Sequence, residues 1–292
     1  MLSCALLLDG FVHGAVGEGP GQPVQDDSAA PGSVTQGGAV IRTDGTKTQT
    51  ARLPAKTIAL TFDDGPDPKW TPKILDVLAR HGAHATFFVI GGHVADNPGL
   101  TRRILREGHD IGNHTYTHVD MSTAPAWRSD IELSLTQRAL AGTAGIKTNL
   151  MRMPYSSTPA GTTGAQWRAA QLAGRTGYVV VLADRDTEDW RKPGVSAIVK
   201  AATTAGRQGD GAIVMLHDAG GDRSETVAAV DQIISTLQPQ GYRFTNLTEA
   251  LKLPRAEVPA SKTEQVIGWV LVSSQRFAGA LIGILGWLFG IA

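Results

Sequence analysis

From about Lys56 onward, short apolar runs alternate with stretches whose apolar residues recur every three or four positions. Thr57 to Phe62 is a β-type run that stops at Asp63-Asp64-Gly65-Pro66, a turn signal. Thr71 and Pro72 then open a helix, because proline at the first helical position lacks an N–H that would be unpaired anyway. Ile74, Leu75, Val77 and Leu78 form its apolar face, and it stops near Gly82. The alternation continues with a strand from Ala85 to Ile90, a helix carrying Leu100, Ile104 and Leu105, a short strand at Asp110 to Asn113, and a helix from about Ala124 to Ala141. Further strands are predicted at Leu150 to Met153, Tyr178 to Leu182, Ala212 to Leu216 and Tyr242 to Leu247, with helical patterns between most of them. Strands separated by helices form parallel sheets with covering helices. About seven such units predict an α/β fold, a distorted and incomplete (β/α)7 barrel, over residues 56–253.

The flanks carry a different pattern. Residues 1–55 lack apolar periodicity after the first few, and Glu18 to Pro54 is rich in Gly, Pro, Ser, Thr and Gln. Such a stretch buries too little surface to offset its ordering entropy, so it is expected to be a flexible linker. Met1 to Leu8 is apolar but short and lacks preceding basic residues, so it reads as the remnant of a signal peptide or a disordered end. Residues 254–263 read as a second linker. Residues 264–292 form an apolar helical tail, with no charge from Phe277 to Ala292. Those sixteen residues reach about 24 Å as a helix, less than the roughly 30 Å of a bilayer core. Extending back to Val266 brings Arg276 into the middle. Gly279, Gly283, Gly286 and Gly290 fall on one stripe, a pattern that lets helices approach closely. A membrane-associated or self-associating helix is expected, with packing back on the barrel as the alternative.

Charge and cysteine narrow the classes. Lys+Arg and Asp+Glu stand at 27 each, and no basic block is present, so a nucleic-acid partner is not expected. The single cysteine, Cys4, permits neither an internal disulfide nor a cysteine-built zinc site.

Ionisable residues concentrate at the predicted C-terminal strand ends, where α/β barrels carry their sites. Asp63-Asp64 follows the first strand, His114 to His118 the third, Arg152 to Tyr155 the fourth, Asp186 to Trp190 the fifth, and His217-Asp218 the sixth. Only the second strand lacks such a cluster. Two histidines four apart can meet one metal from a helical face or a tight turn, and Asp64 is the candidate third ligand. Two nitrogens and one carboxylate leave a position open for water, as catalytic sites do. Thr115 stands where a zincin helix would carry glutamate, which excludes that class.

With these residues in view, positions 57–253 resemble the polysaccharide deacetylase family, carbohydrate esterase family four. Five motifs carry the resemblance in order: Thr61-Phe62-Asp63-Asp64-Gly65, His114 to His118, Arg152 to Tyr155, Asp186 to Trp190, and Leu216-His217. The resemblance implies that Asp64, His114 and His118 bind a divalent metal, commonly Zn²⁺, with Co²⁺ or another ion as an alternative. It implies further that the metal polarises an acetyl carbonyl and activates water, and that Asp63 removes the water's proton. Arg152 would pair with Asp63, and the Tyr155 backbone N–H would help hold the oxyanion. His217, oriented by Asp189, would protonate the leaving group, with Trp190 and Leu216 walling the acetyl methyl. Met153 and Ser156 stand where the family usually has proline and often glycine, which bears on the path of the oxyanion loop. His13, His81, His84, His93 and His109 are assigned no role, and Trp70 and Trp127 are open between sugar stacking and a core or rim position.

The implied reaction is removal of N-acetyl groups from a β-linked polymer such as peptidoglycan or a chitin-type glycan. An acetylated polysaccharide is thus the expected partner, met outside the cytoplasm by a secreted or membrane-associated protein. O-deacetylation of acetylxylan, opening of cyclic amides and a non-catalytic glycan-binding pseudoenzyme are the rivals.

Overall fold

A computed structural model describes residues 29–204, 209–253 and 256–289, with side chains described up to residue 282. Cys4 and Met1 to Leu8 lie outside the described residues, as do Pro254 and Gly290.

The chain begins with α1 (Gly32–Thr35), β1 (Val40–Thr43) and β2 (Thr48–Ala51). The first half of the central domain follows as β3 (Thr57–Asp63), α2 (Thr71–His81), β4 (Ala85–Val89), α3 (Gly91–Asp96), α4 (Pro98–Arg106), β5 (Asp110–Asn113) and α5 (Ala126–Ala144). Next come β6 (Ile146–Thr148), β7 (Leu150–Met151), α6 (Gly164–Arg175), β8 (Val179–Val181), β9 (Arg185–Asp186) and α7 (Val195–Thr204). The remainder is β10 (Ala212–His217), α8 (Ser224–Leu237), β11 (Arg243–Phe244), α9 (Leu247–Ala250), β12 (Glu257–Pro259) and α10 (Lys262–Phe289).

The strands run in the order β2-β1-β8-β7-β5-β4-β3-β10-β9, with β11 pairing the base of β3. From β8 to β9 every neighbouring pair is parallel. The sheet curls without closing, because β2 and β9 end it as edges. This is the incomplete barrel that the alternating pattern predicts. β3 and β4 are buried along their whole lengths, as expected of strands covered on both faces. Ile58, Leu60 and Phe62 pack with Ile74, Leu75 and Leu78 of α2 and with Ile233 and Ile234 of α8 in the main core.

Three expectations change. The N-terminal linker ends earlier than its composition implied: β1 adds antiparallel to β8, buries Val40 and Ile41, and turns into β2. The turn is made by Asp44, whose carboxylate accepts from the Thr46 and Lys47 amides, and by Gly45 at φ +91°. That Asp-Gly pair is a hairpin signal in the sequence, outweighed there by the polar residues around it. The second linker contains β12, which pairs antiparallel with β6.

The apolar tail is the third. α10 lies against α5, with Gly142 and Gly268 at the crossing: a Cβ on Gly268 would stand 2.1 Å from the Arg138 carbonyl oxygen. Packing back on the domain thus holds for the first part of this helix. Gly279 of the predicted stripe faces open space. Among the described residues no helix is long and apolar enough to cross a membrane.

Candidate active site

The parallel sheet delivers the predicted side chains to one end. β3 and β10 are neighbours with Asp63 in register with His217, so the two residues sit side by side on adjacent strands. Around them the backbone is unusual. Asp64, Thr115, His118 and Tyr155 all have φ between +61° and +77°. Non-glycine residues in the left-handed region cost on the order of 1 kcal/mol or more each, and such strain gathers at functional sites. His114 to His118 is accordingly a tight turn and not a helical face.

Asp64 Oδ1 lies 3.4 Å from His114 Nε2 and 3.2 Å from His118 Nε2. One ligand atom from each residue fits within 4.8 Å of the others. The His114 Nδ1 is 2.7 Å from the Arg152 carbonyl oxygen, which can only accept, so Nδ1 carries the proton and Nε2 presents a lone pair. Asp64 Oδ1 is buried and makes no hydrogen bond. An ionised carboxylate facing an imidazole lone pair, without a proton to share, is the donor set of a divalent cation. The site fits the metal that the motifs imply.

Asp63 faces the other way. It is 2 % exposed, and Arg152 Nη1 donates to its Oδ1 at 2.8 Å. Arg152 is itself fully buried. It also donates to Thr61 Oγ1 at 2.8 Å and to the Val181 and Leu182 carbonyls, and it stacks 4.5 Å from the Phe88 ring centroid. The arginine is therefore held at every nitrogen, and it holds Asp63 in turn.

His217 Nδ1 lies 2.7 Å from Asp189 Oδ1, and the second Asp189 oxygen accepts from the His217 amide and from Thr226 Oγ1. Burial pushes the imidazole pKa down. The Asp189 hydrogen bond and charge, with Asp63 and Asp64 adding to them, reverse this and raise it to about 9. Tyr155 sets its ring edge-on to His118 at 4.8 Å. Trp190 is half-exposed under Arg191, and Leu216 is fully buried in the core one residue before His217. All ten predicted site residues thus fall at one end of the sheet. Trp70 is buried and Trp127 exposed.

Three residues around the site have roles that the sequence does not show. His93 donates from Nδ1 to the Asp64 carbonyl at 2.6 Å. Its place just beyond β4 supplies the second strand end that had looked empty. Asp218 is fully buried and accepts from the Gly65 amide and Thr71 Oγ1. Its burial, with the charges of Asp64 and Asp63, raises its pKa to about 7. A Cβ on Gly65 would lie 2.1 Å from the Asp218 carboxylate, which explains the glycine after the aspartate pair. Glu132 of α5 accepts from the Tyr116 and Thr117 amides and from Thr117 Oγ1, clamping the histidine turn. An open cavity of about 400 Å³ adjoins this turn, lined by Asp64, His93, Asp96, Tyr116, Thr117 and His118.

A curled α/β sheet with an Asp-His-His cluster, a buried Asp–Arg pair and a His–Asp pair at its strand ends defines a hydrolase class. The polysaccharide deacetylase family model matches residues 50–178. A peptidoglycan-N-acetylglucosamine deacetylase of Bacillus cereus is 42% identical over 200 residues, covering 68% of this chain and 89% of that protein. A chitooligosaccharide deacetylase of a Bradyrhizobium species is 38% identical over 208 residues, covering 66% of this chain and 90% of its own. Among solved structures, a peptidoglycan N-acetylglucosamine deacetylase in complex with 4-naphthalen-1-yl-N-oxidanyl-benzamide superposes with a TM-score of 0.61. It shares 32% identity and covers 68% of this chain and 90% of that one. The chain belongs to the polysaccharide deacetylase family.

Proposed function

We propose that this protein removes N-acetyl groups from a β-linked N-acetylglucosamine polymer, peptidoglycan or a chitin-type glycan, with a divalent metal held by Asp64, His114 and His118. The observation that carries this reading is the convergence of those three residues, with the His114 Nε2 free of its proton, beside Asp63–Arg152 and His217–Asp189. Zn²⁺ suits two imidazoles and a carboxylate, and Co²⁺ is an alternative. When bound, the ion supplies Lewis acidity to the acetyl carbonyl and to water. Asp63 takes the proton of the attacking water, with Arg152 fixing its Oδ1 and leaving Oδ2 to act. The Tyr155 N–H supports the developing oxyanion. Trp190 borders the acetyl methyl, whereas Leu216 is buried in the main core with Phe62 and does not face the site. His217, its Nδ1 engaged by Asp189, donates from Nε2 to the departing amine. The names of the relatives support the substrate class.

The test is acetate release from peptidoglycan, chitooligosaccharides and acetylxylan by the purified chain, before and after chelation. Release from the first two is expected. Chelation should cut it by at least about 100-fold, in line with several kcal/mol of Lewis-acid stabilisation, and Zn²⁺ or Co²⁺ should restore it. Release from acetylxylan alone would replace this reading with O-deacetylation. No release from any of the three by metal-loaded protein would leave a glycan-binding pseudoenzyme.

A pH prediction follows from His217. A general acid works while protonated, so activity should fall as pH rises through its pKa. Asp189 holds that pKa up to about 9. Asp189→Asn removes the charge that stabilises the imidazolium, so the alkaline limb should move to lower pH by roughly 1–3 units. Superimposable pH–rate profiles of the two proteins would rule out this role for Asp189.

A further inference from the structure

α10 lies outside residues 50–178, which the family model matches, yet one of its side chains reaches the walls of the metal site. Gln275 Oε1 accepts from the Tyr116 hydroxyl. Gln275 Nε2 donates to the Gly92 carbonyl at 3.1 Å and to Asp96 Oδ1 at 2.8 Å. Tyr116 stands midway between the ligands His114 and His118, and Gly92 precedes His93, which holds the backbone of the ligand Asp64. A single amide therefore joins the turn that carries two ligands to the helix that braces the third.

The rest of the contact is built to keep that amide in place. The Tyr116 ring is buried, and it lies so near Gly91 that a Cβ there would come within 2.4 Å of it. Gly91 and Gly92 donate their amides to the Thr115 and Tyr116 carbonyls at 2.9 and 3.0 Å. Glu132 grips the same turn from α5. The Gly142–Gly268 crossing seats α10 on that α5 helix, two turns before Gln275. The turn is strained at Thr115 and His118, so its shape must be imposed from outside. Partners beyond the ligands themselves orient a metal site in this way.

We infer that the C-terminal helix is part of the metal centre's scaffold, and that Gln275 is a positioning residue that sets the His114–His118 turn for the ion. This rests on the reading of Asp64, His114 and His118 as metal ligands. It goes beyond that reading by assigning a role to a helix that the five motifs do not include.

The experiment is titration of the metal-free full chain with Zn²⁺ and Co²⁺, comparing wild type with Gln275→Leu, Tyr116→Phe and Gly268→Val. Folding is checked by thermal denaturation in chelator. Gln275→Leu and Tyr116→Phe should each weaken metal binding by about tenfold, the lower end of what outer partners cost, and alter the Co²⁺ absorption spectrum. Acetate release at saturating metal should recover most of the wild-type kcat. Gly268→Val, which drives a side chain into the Arg138 carbonyl, should reproduce the loss by lifting the helix. Ser274→Ala, on an exposed position of the same helix, should bind metal as wild type does. Affinities of Gln275→Leu and Tyr116→Phe within twofold of wild type, with unchanged Co²⁺ spectra, would overturn the inference while leaving the metal site standing. Wild-type protein that binds neither ion would instead remove the metal reading on which it rests. Should Gln275→Leu fail to fold, Tyr116→Phe decides, because it deletes only the hydroxyl.

Discussion

Replacing Asp63 by asparagine is expected to lower acetate release from an N-acetylated glycan by roughly a hundred- to ten-thousand-fold, the range a general base contributes. Asparagine keeps the shape and can still accept from Arg152 Nη1, which now lies 2.8 Å from Asp63 Oδ1. It cannot take a proton from water. The group that could hold a metal includes the neighbouring Asp64 and not Asp63, so Zn²⁺ affinity should stay near wild type. The pair of measurements separates two adjacent aspartates by role. Unchanged acetate release would end the assignment of Asp63 as base, and a large loss of metal affinity would show that it serves as a ligand as well.

Arg152→Met should be the most destabilising single change at the site. Arg152 heads the fully buried side chains by volume, and Asp63 beside it is 2 % exposed. Removing the guanidinium leaves a carboxylate out of water without its cation, and breaking a buried pair from one side costs about 3–5 kcal/mol. The lost bonds to Thr61 and to the Val181 and Leu182 carbonyls add to this. Denaturant unfolding of the metal-free protein measures it. The double variant Asp63→Asn with Arg152→Met should be more stable than Arg152→Met alone, since the stranded charge is gone. Strict additivity of the two changes would mean that the pair does not act as a unit.

Much of this site can be read in the chain because its residues lie within a few positions of strand ends. A run such as Thr57 to Phe62 must be a strand to bury every side chain, and the strand's end then carries Asp63 and Asp64 to the rim. The same holds for His217 after Ala212 to Leu216. The roles of His93 and Asp218 are not legible for a different reason. His93 acts through the Asp64 backbone and Asp218 through Gly65, so no motif spacing records the contact. The hairpin of β1 and β2 escaped because its stability comes from pairing with β8, more than a hundred residues later.

The sequence by itself determined the alternating α/β architecture, the five clusters at the strand ends and the chemistry they share, because hydrophobic period and residue type are local properties. Only the tertiary structure decided which partners those clusters meet. It set Asp63 beside His217 through strand register and fixed the His114 tautomer with a carbonyl 38 positions away. It also laid the apolar helix of the tail against the domain, so that Gln275 touches the His114–His118 turn from 159 positions away. Hydrogen bonds across such separations depend on how the sheet curls and which helices cover it, and no periodicity along the chain encodes that.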